Sequence, residues 1–167
     1  RYLERLAEDG LTGWDRARIQ GERRRMEVLL AEGGVPEGRL RDAAALVTEA
    51  LSTTLADADG RWILSAERRG GSSELPVAGL VGGRPVQRRI DRAFLDDDGV
   101  RWIVDFKISP HSGPDLEAFL DEQQARYRPQ LDQYARLLAA LYPQESRRRL
   151  ALYFALQGRL VAWDAPA

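Results

Sequence analysis

Along the first third of the chain, apolar side chains recur three and four positions apart; in the middle they alternate. Over residues 15–32, Ile19, Met26, Leu29 and Leu30 stand among charges, and Gly33, Gly34 and Pro36 stop the run. That spacing predicts one amphipathic helix. Residues 39–55 repeat it through Leu40, Ala43, Ala44, Val47, Leu51 and Leu55, which predicts a second helix, and residues 57–60 then turn the chain. From Glu74 to Lys107 the period falls to two, predicting three strands over 75–81, 85–95 and 100–107. Tight turns at Gly82-Gly83 and 96–99 join them into an antiparallel meander. Beyond it, 115–124 and 129–142 read as two helices, with Pro129 in the first turn of the second. Segments 150–156 and 159–163 read as a closing hairpin around Gln157-Gly158. The expected fold is α/β, a central mixed β-sheet flanked by α-helices. Trp62, Trp102 and Trp163 fall in apolar segments and are expected in the core, while Trp14 lies in a polar stretch and is expected to be exposed.

Composition narrows the picture. With 167 residues the expectation is a single domain, divided into a helical subregion over 1–56 and an αβ core over 57–167. The absence of cysteine removes any disulfide framework, and no apolar run approaches the roughly 20 residues that span a bilayer. The expectation is therefore a cytoplasmic protein with no membrane partner. A net charge of −1 argues against a bulk basic nucleic-acid binder, so a polyanion would have to be held by local patches or by bound metal. Arg23-Arg24-Arg25 and Arg147-Arg148-Arg149 are two such runs, but Glu22, Glu27 and Glu145 dilute them, and they read as solvated faces.

The chemistry concentrates in the meander. Of 25 basic residues only Lys107 is a lysine, and it ends the third predicted strand in Asp105-Phe106-Lys107. Arginine is a planar fork that stays protonated; lysine is a compact point charge that can sit close to a water or a phosphoryl oxygen. If Asp97-Asp98-Gly99 form a three-residue loop with Gly99 left-handed, residues whose numbers sum to 196 face each other, and Asp91 faces Asp105. Like charges so placed repel. A divalent cation would remove the repulsion, and two oxygen donors suit Mg²⁺ or Mn²⁺. Alternation puts Lys107 on the face of Asp105. Two acids, a cation and an ammonium suit phosphodiester hydrolysis. Glu74, at the start of the first predicted strand, is a candidate third acid.

The string Arg89-Ile90-Asp91-Arg92, with thirteen residues between Asp91 and Asp105, then Asp105-Phe106-Lys107 and Gln130-Leu131-Asp132-Gln133-Tyr134, resembles the PD-(D/E)XK nuclease superfamily. More narrowly it resembles the RecB/AddA-like nuclease domain at the C-terminus of UvrD/Rep-like helicases. The resemblance covers about residues 40–160 and is firmest over 74–134. It implies a restriction-endonuclease-like core in which Asp91, Asp105 and the Phe106 backbone carbonyl hold Mg²⁺ or Mn²⁺. Lys107 would be the catalytic lysine. Gln130 and Tyr134, on one helical face, would lie beside the site and contact DNA or steady Lys107. Tyr127 and Arg128 stand just ahead of that helix as further DNA contacts. The implied function is a DNA exonuclease domain of a helicase-nuclease acting in double-strand break repair and recombination. Its partners would be single-stranded DNA ends, helicase motor domains upstream in the same polypeptide, and a second helicase-nuclease subunit.

The match has departures. Members begin this domain with a helix whose histidine joins the metal shell, and no such motif precedes Tyr2; the expectation is an excised C-terminal fragment. No G-x-x-x-x-G-K-[ST] loop occurs, so no ATPase is expected from these residues. Ile108 stands where a small hydroxyl residue commonly follows the lysine. These departures keep open a second class of function, a catalytically degenerate nuclease fold that binds DNA or docks a partner. His111, in the loop over 109–113, is a weak candidate for a phosphate contact.

Overall fold

The protein is described here from a computed structural model that covers residues 2–65 and 69–166. Contacts divide the chain into two compact units: Arg1–Ser65 with Lys107–Pro110 and Phe154–Arg159, and Ala66–Phe106 with His111–Tyr153 and Leu160–Ala167.

The first unit is built on five helices: α1 (Tyr2–Glu8), α2 (Arg16–Gly21), α3 (Arg23–Glu32), α4 (Leu40–Ala56) and α5 (Ala58–Leu64). Helix α4 packs against α2, α3 and α5. Leu6, Ile19, Met26, Ala44, Ile63 and Leu64 are almost wholly buried, and each large apolar side chain removed from water favours folding by about 1.5–3 kcal/mol. Residues 15–32, expected to form one helix, form two. Asp15 caps α2 by accepting the Arg18 N–H, and the chain restarts after Glu22. The turn expected at 57–60 is instead the start of α5, because the Asp57 carboxylate caps it through the Gly60 N–H. Trp14 is also buried rather than exposed: its Nε1 donates to Asp9 at 2.7 Å, and the guanidiniums of Arg18 and Arg5 lie 4.0 and 5.5 Å from its ring centre.

The sheet has five strands in sequence order: β1 (Arg69–Val81), β2 (Arg84–Leu95), β3 (Arg101–Lys107), β4 (Arg148–Phe154) and β5 (Arg159–Asp164). β1 and β2 are antiparallel around the Gly82-Gly83 turn, where both glycines have positive φ, as a two-residue hairpin requires. β2 and β3 are antiparallel as well. β4 runs parallel to β3, since the Arg101 N–H bonds the Arg147 carbonyl and the Ala155 N–H bonds the Lys107 carbonyl. The sheet is therefore mixed, and α6 (Leu116–Leu141) makes the crossover between β3 and β4. β4 is apolar and buried from Leu150 onward, as befits a strand with neighbours on both sides.

Helix α6 replaces the two helices expected on either side of Pro129. Proline inside a helix leaves the carbonyl four residues back without its donor. Both Pro129 and Ala125 are exposed, so water can serve that carbonyl. Leu120, Leu131, Leu138 and their buried neighbours hold one face in register across it. α6 also packs against β1 at Gly79, where a Cβ would come within 2.7 Å of Leu137. Arg101 and Glu145 form a bidentate ion pair, at 2.9 and 2.5 Å, between the start of β3 and the segment before β4. Both side chains are about nine-tenths buried.

Candidate active site

The β2–β3 hairpin has the expected register. Leu95 pairs with Arg101, Phe94 with Trp102, Ala93 with Ile103 and Arg92 with Val104. Gly99 takes φ 73°, and the Asp96 N–H closes the loop on the Val100 carbonyl at 3.0 Å. The pairing runs to Arg92↔Val104, and just beyond it the Phe106 N–H goes to the Asp91 side chain.

Each carboxylate is held by a donor from another element. Asp91 Oδ2 accepts the Phe106 N–H at 2.8 Å, so the side chain of β2 takes a backbone donor of β3. Asp105 is 6% exposed, and its Oδ1 accepts from Gln130 Nε2 at 3.1 Å. The same amide donates to Tyr134 Oη at 2.7 Å, joining the helix face of Gln130 and Tyr134 to the strand acid. Tyr134 is buried, which raises its phenol above the ordinary value of 10.0. The Gln130 hydrogen bond works against that rise, and the negative charges of Asp105 and Asp91 add to it. Both acids thus act on one phenol.

The other expected residues fall as follows. Lys107 is the last residue of β3, two positions beyond Asp105. Glu74 lies in the interior of β1 rather than at its start, because the strand begins at Arg69. It falls between the pairs Ser73↔Arg92 and Leu75↔Ile90, level with Asp91, and has φ 52°. Its Oε2 accepts from Arg89 Nη1 at 3.4 Å. Tyr127 and Arg128 are in the middle of α6; the Arg126 guanidinium lies over Tyr127, and that of Arg128 lies over Trp163. His111 stacks on Phe119 with ring centres 4.6 Å apart.

Among the described residues, no group of three or more histidine, cysteine, aspartate or glutamate side chains is placed to hold a metal. Two carboxylates are an all-oxygen donor set, which suits a hard cation that keeps part of its water shell. The resemblance placed Gln130 beside the site, in contact with DNA or steadying Lys107, and its amide bonds Asp105. The D-x-K at the strand end and Asp91 on the strand before it were the signal that the sequence offered.

No curated protein matches. Nine chains of known structure match, among them the protein named in "Crystal structure of SSO0001", at 16% identity and a TM-score of 0.37 over 99% of this chain and 76% of that one. A family model described as the PD-(D/E)XK nuclease superfamily matches residues 2–165. That match spans nearly the whole of the 167 residues, so the chain belongs to the PD-(D/E)XK nuclease superfamily.

Proposed function

We propose that this chain is a metal-dependent DNA phosphodiesterase, the exonuclease domain of a RecB/AddA-like helicase-nuclease that acts on single-stranded ends during double-strand break repair. The observation that supports this reading is a pair of carboxylates on neighbouring strands, Asp91 bonded to the Phe106 N–H and Asp105 bonded to the Gln130 amide of α6. Asp91, Asp105 and the Phe106 carbonyl would hold Mg²⁺ or Mn²⁺. When bound, such a cation offsets the charge on phosphoryl oxygens and acidifies a water at neutral pH.

The remaining work belongs to the chain itself. Gln130 fixes the rotamer of Asp105 by donating to Oδ1. Tyr134 receives the same amide, which fixes the orientation of Gln130 in turn. Phe106 N–H does the same for Asp91. Lys107 supplies a compact ammonium that orients the attacking water or offsets charge gathering on the phosphate. Glu74 serves as a third acid once Arg89 turns away from it; Arg89 is exposed and the pair weak, so that exchange costs at most about 1 kcal/mol. Tyr127 and Arg128 contact DNA from α6. Upstream helicase motor domains deliver the strand in this reading, and the location is the cytoplasm. No helix among the described residues is long and apolar enough to cross a membrane.

The Glu74–Arg89 ion pair supports a second reading, a degenerate nuclease fold that binds DNA or a partner without cutting. Calorimetric titration with Mn²⁺ separates the two. In the nuclease reading the protein binds Mn²⁺, Asp105→Ala weakens that binding at least tenfold, and Lys107→Ala retains it while abolishing cleavage of end-labelled DNA. Mn²⁺ affinity unchanged in Asp105→Ala overturns the ligand assignment; cleavage retained in Lys107→Ala removes lysine from the mechanism.

A further inference from the structure

The run Arg147-Arg148-Arg149, which reads in sequence as a solvated face, instead lines a cleft of about 680 Å³ in the second unit. Arg136 of α6, Trp102 of β3 and Asp96 and Asp98 at the β2–β3 turn line it too. Four arginines from two segments therefore share one concavity with three aspartates, Asp164 being the third.

Their contacts orient them without using up their donors. Arg149 lies 5.0 Å over the Trp102 ring, and its nearest acid is Asp164, 3.5 Å away and largely exposed. Arg148 gives Nη2 to the Tyr142 carbonyl at 2.9 Å, and Arg147 gives Nη2 to the Asp98 carbonyl at 2.6 Å. The Nε of Arg148 is buried with no hydrogen-bond partner, a state that costs about 1–3 kcal/mol unless a ligand supplies an acceptor, while the Nε of Arg149 faces Asp164 at 3.5 Å. Asp96 is hydrogen-bonded to Trp102 Nε1 at 2.8 Å and to the Asp98 and Val100 N–H groups, and the charge of Arg147 acts on it.

We infer that this cleft is a second nucleic-acid contact, one that holds the sugar-phosphate backbone of a single strand away from the two acids. The inference rests on the nuclease reading only in taking nucleic acid as the polyanion. Guanidinium forks match phosphate oxygens two at a time, and stacking on an aromatic face holds the fork flat. A carboxylate matches the fork as well, as Glu145 does on Arg101, so it is the nucleic-acid substrate implied by the family that selects phosphate here. Helix α6 links the two places, with Gln130 and Tyr134 at the acids and Arg136 in the cleft. Along β3, Trp102 and Asp105 are about 10 Å apart at the usual rise of a strand. Three positions apart, their side chains leave opposite faces of β3, so a strand seated in the cleft is held apart from the acids rather than in line with them.

Fluorescence anisotropy with a labelled single-stranded oligonucleotide, in buffer without divalent metal, tests this. The Arg147→Ala/Arg149→Ala protein binds about tenfold more weakly, and the slope of log affinity against log salt falls by roughly 0.7 for each arginine removed. Arg149→Lys, which keeps charge and loses the fork, recovers the salt slope and only part of the affinity. Arg136→Ala, an exposed change that leaves the fold alone, weakens binding in the same direction. Unchanged affinity and salt slope in both the double variant and Arg136→Ala overturn the inference. So does full displacement of the oligonucleotide by equimolar inorganic phosphate, since the cleft would then take a free anion rather than a strand. Because binding is read without metal, a wild-type protein that binds the strand but does not cut it once Mn²⁺ or Mg²⁺ is added refutes the nuclease reading and leaves the cleft standing.

Discussion

At the turn of the β2–β3 hairpin, Asp96 accepts hydrogen bonds from Trp102 Nε1, Asp98 N–H and Val100 N–H, all from its own loop or the next strand. Farther along the same two strands, Asp91 takes the Phe106 N–H and Asp105 takes an amide from α6. One residue type thus does two jobs in one hairpin. At the turn, every donor comes from within six residues, and the carboxylate closes the loop. At the other end each carboxylate takes its donor from a different element, Asp91 from β3 and Asp105 from α6, so these bonds tie elements together rather than close a loop.

Removing the amide that orients Asp105 is the sharpest way to separate the two ends. Gln130→Ala is expected to lower kcat and Mn²⁺ affinity by tenfold to a hundredfold, as loss of a partner that orients a metal ligand generally does. Oligonucleotide affinity without metal should stay close to wild type, because Gln130 is a positioning residue here. Gln130→Glu, which cannot donate and adds a third negative charge beside Asp105, should be no better than alanine. If Gln130→Ala loses thermal stability but retains kcat and Mn²⁺ affinity, its bond to Asp105 is structural, and the contrast between the hairpin ends disappears.

Asp96→Ala should do the reverse. Losing three acceptor bonds, two of them to backbone N–H groups, is expected to cost about 2 kcal/mol. In a chain of this size that lowers the thermal midpoint by roughly 4–8 °C, readable by circular dichroism. Mn²⁺ affinity per folded molecule should not move. A drop in metal affinity larger than the stability loss explains would mean that the turn and the acids act as one unit.

The same contrast shows what the sequence could reveal. The Asp97-Asp98-Gly99 loop is local chemistry, so the hairpin register from Leu95↔Arg101 to Arg92↔Val104 was readable from turn residues and strand alternation. The three-strand meander and the helical character after residue 115 followed from periodicity, while the parallel pairing of β3 with β4 was not read. What failed was punctuation decided by other parts of the fold. Pro129 reads as a helix start until the buried face of α6 carries the helix through it, and the Glu22 break is invisible in a run whose charges suit a helix on either side. Asp57 reads equally as a turn former and as the cap it is. The arginines at 147–149 could not be told from a solvated run, because their cleft depends on a parallel crossover that brings α6 and the β2–β3 turn to the start of β4.

The smallest expected effect lies in acid. Burial alone would raise the Asp96 carboxyl. The hydrogen bonds from Trp102, Val100 and Asp98, helped by the charge of Arg147, outweigh burial and hold it below its ordinary value of 3.8. The unfolded chain therefore takes up this proton at a higher pH than the folded chain does. The stability Asp96 contributes is complete above 3.8 and drains away as pH falls through the lower, folded value. Urea midpoints measured between neutral pH and pH 3 should therefore fall more steeply for wild type than for Asp96→Asn, which starts lower but has no carboxyl to protonate. The two curves should converge at the acid end. Parallel curves across the whole range would show that Asp96 carries no such linkage, and the turn carboxylate would then be no more committed to its donors than an ordinary surface acid.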